Sequence, residues 1–308
     1  MLDIVGKRYW YFLVSALIIL PGLVSLLVPP GLRLAVDFTG GTLWEMQFAR
    51  PVAPNEIRAV LVQHGLNDSV VQTTGEGTVL VRSKEIKDGS EEKRAIVSDL
   101  HSQLGEYTEL RFESVGPAVG TEVAQRAVLA IALASLGILA YLWFAFRRVP
   151  SAWRYGVCAI AAILHDAVLV VGIFSILGKL FLMEVDALFV TAVLTIIGYS
   201  VHDTIVVFDR IRENVGRYPG ERFELLVNHS LLQTLGRSLG TSLTVLFTLL
   251  ALVLLGGTTM RTFSLVLLIG IASGTYSSIF NASMLLLIWE NGELGRFFRR
   301  LVPARATA

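Results

Sequence analysis

Six long apolar runs punctuate the sequence: Tyr9 to Val28, Val123 to Phe146, Tyr155 to Leu177, Ala187 to Phe208, Ser238 to Leu255 and Phe263 to Trp289. About 20 helical residues cross roughly 30 Å of hydrocarbon, so each run predicts a transmembrane helix. Between the first and second lies a polar stretch of mixed charge, Gly31 to Thr121, that holds no spanning segment. It predicts a folded extramembrane domain. The chain then divides into a first span (1–30), an external domain (31–121), a five-helix bundle (122–290) and a basic tail (291–308).

Inside the external stretch the period of the pattern alternates. "GGTLWEMQFA" (Gly40 to Ala49) has strand composition, and "APNEIRAVLVQHG" (Ala53 to Gly65) opens with Pro54 and closes on Gly65, as a helix does. "SVVQTTGEGTVLVRS" places two β-branched runs around "TGEG", a hairpin signature. "GSEEKRAIVSDLHSQLG" is helical, with Ser90 as N-cap and acids in the first turn, and "YTELRFESV" is a last strand. The order βαββαβ predicts a ferredoxin-like α+β sandwich. His64 and His101 stand singly at helical positions and are read as surface or cap residues, not ligands.

Composition agrees with a polytopic α-helical membrane protein: hydrophobic residues make up 54% of the 308, charged ones 17%, and the mean hydropathy is +0.63. A net charge of +1 without a dense basic run offers nothing to nucleic acid. The single cysteine, Cys158, allows neither an internal disulfide nor a thiolate metal cluster. "LLVPPGLRL" after the first run lacks a small-residue cleavage site, so that run reads as a retained span. Lys/Arg bias sets the orientation. Lys7, Arg8, Arg147, Arg148, Arg154, Arg210, Arg212, Arg217, Arg222 and the tail's Arg296, Arg299, Arg300 and Arg305 all fall on one side. The opposite short loops carry Lys179, offset by Glu184 and Asp186, and Arg261. Both termini are expected to be cytoplasmic and the large domain external.

The candidate chemistry lies in the spans. A charge at bilayer depth costs roughly 2.5–3.5 kcal/mol on insertion scales, so each one needs a reason. His165 and Asp166 occur in the third span, His202 and Asp203 in the fourth, and Arg237 opens the fifth. At 1.5 Å per residue Asp203 lies about 24 Å below Ala187, a depth Arg237 also reaches, while Asp166 is nearer the midplane. Helical spacing puts Tyr199, Ser200 and Arg210 on the face of Asp203. Arg237, Thr241, Thr244 and Thr248 share a stripe, and Ser273, Ser277 and Asn281 recur at steps of four beside the small pair Gly270 and Gly274. Together they predict a wet polar seam. Desolvation favours the protonated form of a carboxyl and a neighbouring arginine the ionised one, so an Asp–Arg pair that opens and closes would switch proton affinity.

Other readings compete. The Asp–Arg pair could lock helix packing only, and His165–Asp166 could serve helix–helix hydrogen bonding. The two His-Asp dipeptides lack the spacing of a metal-binding "HExxH" helix, so no metal site or catalytic residue is assigned. An aspartyl protease dyad would need Asp166 and Asp203 at one level. A small-molecule exporter with a proton relay would share this chemistry but predicts a second set of six spans in the same chain, whereas one set predicts a partner chain.

"VDFTGGT" (Val36 to Thr42), "GYSVHDTIVVFDRIREN" (Gly198 to Asn214) and "SLLQTLGRSLGTSLT" entering the fifth span closely resemble the SecF family of protein-export membrane subunits, which with SecD belongs to the resistance-nodulation-division superfamily. The resemblance runs from first span to last. It implies a multi-pass protein of the bacterial inner membrane, paired with SecD, associated with the SecYEG channel and often YajC, that uses the proton gradient to promote late preprotein translocation and release outside. It maps the family's proton-pathway aspartate and arginine onto Asp203 and Arg237, and its first motif onto Asp37, Phe38, Gly40 and Gly41. Where the family commonly has Asn before the aspartate, this chain has His202. No "GxxxxGK[ST]" occurs, so neither nucleotide nor cofactor is expected to power the chain, and an accessory subunit is expected in place of an enzyme.

Overall fold

A computed structural model of the chain describes residues 2–73, 77–147 and 152–293. The tip of the "TGEG" turn, Arg148 and the basic tail beyond residue 293 lie outside the described residues. In chain order the elements begin with α1 (Arg8–Leu27), α2 (Val36–Thr39), β1 (Gly41–Phe48), α3 (Pro54–Gln63), β2 (Val70–Thr73), β3 (Val79–Ser83), α4 (Glu91–Leu104) and β4 (Tyr107–Val115). There follow α5 (Pro117–Phe146), α6 (Ala152–Leu180), α7 (Ala187–Arg217), α8 (Phe223–Leu255), α9 (Thr258–Tyr276), a π-helical turn (Ser277–Ala282) and α10 (Ser283–Glu290). Among the described residues 6 helical segments are long and apolar enough to cross a membrane, the last running from Met260 to Glu290 through the π turn.

The chain forms two compact units, one of Leu34–Ala130 with Glu184–Ala187, the other of Met1–Arg33, Ile131–Met183 and Leu188–Ala308. In the first, the strands pair antiparallel in the order β2-β3-β1-β4, the ferredoxin-like arrangement predicted from βαββαβ. Trp44 and Met46 of β1 alternate inward and meet Ile57 and Leu61 of α3 and Ile96 and Leu100 of α4, all buried. The Ser90 hydroxyl caps α4, accepting from the Lys93 amide at 3.1 Å. His64 and His101 have carboxylate neighbours, Asp99 at 2.7 Å and Glu106 at 3.4 Å.

The "VDFTGG" segment is a tight joint. Gly40 and Gly41 hold φ of +69° and +107°, a region costly for any side chain. A Cβ on Gly40 would stand 2.7 Å from Pro117 Cα, and one on Gly41 2.7 Å from the Ser83 carbonyl. Asp37 accepts a hydrogen bond from the Ala187 amide at 2.9 Å, Phe38 closes the turn on the Ala35 carbonyl, and Ala35 donates to Val185 at 2.9 Å.

In the second unit α1 packs on α6, α6 on α9 and the π turn, and α8 on α9. Small residues set the closest approaches: a Cβ on Gly22 of α1 would lie 2.8 Å from Gly172 Cα of α6. One turn further, the Ser25 and Ser175 hydroxyls meet at 2.8 Å, and Lys179 donates to the Val28 carbonyl at 2.7 Å. Helices α7 and α8 run well past their apolar stretches, which reach only Phe208 and begin only at Ser238. Their polar ends join through Asn214, which donates to Ser230 at 2.8 Å and Gln233 at 3.0 Å.

Candidate functional site

Two polar clusters occupy the bundle, reached from faces of α7 about 100° apart (Tyr199 and Asp203 against Ser200 and Thr204). The first centres on Asp166, which is wholly buried. Its Oδ2 accepts from Ser200 at 2.6 Å and Ser277 at 2.7 Å, and its Oδ1 accepts from Ser273 at 2.9 Å and faces His165 Nδ1 at 3.0 Å. A carboxylate offers about four acceptor positions, and these donors fill them. The cluster extends both ways: Asn281 Nδ2 lies 3.1 Å from His165 Nε2, while Ser278 donates to the Ser200 carbonyl at 2.9 Å and Thr204 to Ser278 at 2.9 Å. Gly274 makes the room, since a Cβ there would stand 3.3 Å from Ser200 Cβ and 3.5 Å from Asp166 Oδ2. These bonds tie α6, α7 and the last span together.

The second cluster centres on Asp203, only 2% exposed. Ser242 donates to its Oδ2 at 3.4 Å, and His202 Nδ1 is 3.8 Å from its Oδ1, the His202 ring being mostly exposed. Ser242 is itself saturated: its one hydrogen goes to Asp203, and its oxygen accepts from Thr275 at 2.8 Å and Tyr199 at 3.2 Å. Asp203 thus has far fewer donors than acceptor positions. Among the described residues Asp166 and Asp203 share no hydrogen-bond partner.

Several sequence-predicted residues fall elsewhere. Ser200, placed by spacing beside Asp203, turns to Asp166, whereas Tyr199 joins the Asp203 cluster through Ser242. Arg237 is exposed and takes no ion pair among the described residues. Thr241, Thr244 and Thr248 are exposed too, donating to the backbone carbonyls of Arg237, Thr241 and Thr244. The buried polar face of α8 is instead Ser230, Thr234, Ser238 and Ser242. Ser242 was not singled out from sequence; its signal was the Ser238–Ser242 step of four in "RSLGTSLT". Among the described residues no three His, Cys, Asp or Glu side chains gather as a metal site would require.

Comparison with known proteins bears on this arrangement. The model of the SecD/SecF protein export membrane protein C-terminal region matches residues 96–292, and that of the SecD/SecF GG motif matches residues 25–52. The chain belongs to the SecD/SecF family. Relatives named protein translocase subunit SecF include one from Thermobaculum terrenum, 58% identical over 99% of both chains. Another, from Anaerolinea thermophila, is 49% identical over 97% of this chain and 98% of its own. The crystal structure of SecDF from Thermus thermophilus superposes with a TM-score of 0.79 at 35% identity, covering 94% of this chain. The present chain spans only 39% of that longer one. The SecD/SecF C-terminal match takes in Asp166, Asp203, Ser242 and Arg237 alike, and the GG-motif match takes in Asp37, Phe38, Gly40 and Gly41.

Proposed function

We propose that the chain acts as the SecF-type subunit of a SecD–SecF pair, using the proton gradient to promote Sec-dependent translocation and release of preproteins at the outer face of the bacterial inner membrane. Its partners in this reading are SecD, the SecYEG channel, YajC and the moving preprotein, with both termini cytoplasmic. It works as an accessory transport subunit with no cofactor, and not as an enzyme. The relatives named SecF support the subunit assignment. The proton role rests on one contrast: Asp203 is as deeply buried as Asp166 yet has a single long hydroxyl bond where Asp166 has its acceptor positions filled. A carboxyl with open lone pairs can gain and lose a proton without breaking a network.

Arg237 stands five residues before Ser242, about 7.5 Å along α8 and about 140° around it, so bringing its guanidinium to Asp203 takes a rotation of α8 together with a shift along α7. Pairing would expel the proton, and separation would readmit it. Moving one charge through the membrane field supplies about 2.3 kcal/mol per 100 mV toward such a movement.

The test is preprotein translocation into vesicles with and without an imposed proton gradient, using complexes verified for assembly with SecD. Asp203→Asn should assemble normally and lose gradient-dependent stimulation. Arg237→Lys keeps the charge but loses the planar fork and should be partly defective. His202→Asn should be tolerated, because the ring is largely exposed. Full stimulation in Asp203→Asn would make the carboxylate structural.

A further inference from the structure

The proton chemistry proposed for α7 and α8 gives no task to the "VDFTGG" motif or to its carboxylate, Asp37. We infer that Asp37, with Arg82 and Arg111, anchors the start of α7 to the four-stranded unit and so passes movement of α7 to the external domain, a role that rests on the reading of Asp203 as the proton site.

The anchor is built on the segment Glu184–Ala187, which belongs to the same compact unit as the sheet. Its backbone is held first: Leu34 and Val185 form a parallel bridge, and the Ala35 amide donates to the Val185 carbonyl at 2.9 Å. Asp37 comes next. Its Oδ2 accepts at 2.9 Å from the amide of Ala187, the first residue of α7. The first amides of a helix lack partners within it, and its N-terminus favours negative charge. A carboxylate brought in from another element is therefore a strong fastening there. Charge completes the anchor. Glu184 pairs with Arg82 of β3, both side chains half-buried, and Asp186 interacts electrostatically with Arg111 of β4, which also bonds Glu113 at 2.7 Å. The two acids that offset Lys179 in the charge pattern thus meet arginines on two different strands.

The same motif seats the start of another span. A Cβ on Gly40 would stand 2.7 Å from Pro117 Cα, and one on Gly120 would stand 2.8 Å from the Gly40 nitrogen. Pro117 and Gly120 lie in the first turn of α5. Backbone packed on backbone has no rotamer to change, so such a joint transmits displacement instead of absorbing it.

Helix α7 supplies the lever. It runs without a break or a proline from Ala187 to Arg217. Asp203 lies 16 residues, about 24 Å, along it from Ala187. A hydrogen-bonded helix moves along its axis as one piece. The fastened segment leads straight into its first turn, so no slack remains between the anchor and the helix.

Hydrogen–deuterium exchange of the full chain, assembled with SecD in lipid bilayers, reads both the anchor and the transmission. Asp37→Ala should speed exchange at the start of α7 about tenfold or more, the loss of one charge-assisted hydrogen bond. Asp37→Asn keeps an acceptor oxygen and should change it far less. Glu184→Arg should likewise loosen the segment, and Arg82→Glu in the same chain should restore it. Transmission is read by a double-mutant cycle. Asp203→Asn should alter exchange in β1, β3 and β4 of the otherwise native chain, and should not do so in the Asp37→Ala background. If Asp37→Ala does not assemble with SecD, Glu184→Arg takes its place, with the swapped pair as control. An equal response to Asp203→Asn in both backgrounds would overturn the inference. So would no response in the native chain, or unchanged exchange at the start of α7 in Asp37→Ala. Vesicle translocation judges the proton reading separately: full gradient-dependent stimulation in Asp203→Asn sinks that reading, whereas lost stimulation with an equal exchange response in both backgrounds sinks the joint alone.

Discussion

At Asp166 three serine hydroxyls and an imidazole nitrogen lie 2.6 to 3.0 Å from the carboxylate oxygens, whereas at Asp203 one hydroxyl lies at 3.4 Å. The difference has a measurable consequence. Side-chain hydrogen bonds inside membranes average roughly 0.6 kcal/mol, so removing four at Asp166 costs about 2.4 kcal/mol against about 0.6 at Asp203. Asp166→Leu should therefore lower the thermal unfolding midpoint of the purified protein in detergent several times more than Asp203→Leu. Equal losses would contradict the hydrogen-bond accounting. The two aspartates were conspicuous in the sequence because apolar spans exclude them. Their division of labour was not, since Ser242, Ser273, Ser277 and Thr275 come from other helices and bear no local mark of which carboxylate they serve.

At the scale of the element, close helix contacts depend on glycine. Gly172→Leu would drive a side chain into the backbone of α1 at Gly22, where even a Cβ stands 2.9 Å from Gly22 Cα. It should cost about 2 kcal/mol or more as an overpacked contact. Gly137→Leu on α5, where a Cβ meets nothing within 4 Å, should change the unfolding midpoint little. Comparing the two variants in one detergent separates packing from the change in helix propensity. The apolar runs located every span but understated α7 and α8, because hydropathy marks contact with lipid and not the extent of a helix. The π turn at Ser277–Ala282 left no sequence signal. It brings both Ser277 and Ser278 into the polar cluster, one to Asp166 and the other to Ser200.

For the whole molecule, the unit built on the four-stranded sheet has its own core around Trp44, Met46, Ile57 and Ile96. Gly31 to Thr121 expressed alone should fold as an α+β domain and unfold cooperatively; a circular dichroism spectrum without strand content would count against that. The proposed orientation has an equally direct check. In a Cys158→Ser background, Asp88→Cys and Gly220→Cys should be labelled by an impermeant thiol reagent from opposite sides of the membrane, the first from outside. Labelling of both from one side would sink the assignment of cytoplasmic termini.

The amino-acid sequence by itself determined the helical spans, the βαββαβ order and the presence of ionisable groups at bilayer depth. Each of these follows from short-range periodicity or from the free energy of placing one residue in lipid. The "VDFTGG" joint showed in the sequence as a motif with paired glycines, but the reason for them lies in Pro117 and Ser83, remote in the chain, against which a Cβ would collide. Only the tertiary structure decided that Ser200 serves Asp166, that Thr241 and Thr244 face outward, and that Asn281 meets both His165 and Ser15. Helical spacing places side chains around one axis. Which neighbouring helix each of them meets depends on how the helices are rotated and packed, and close contacts such as Gly22 with Gly172 and Gly274 with Ser200 set that packing.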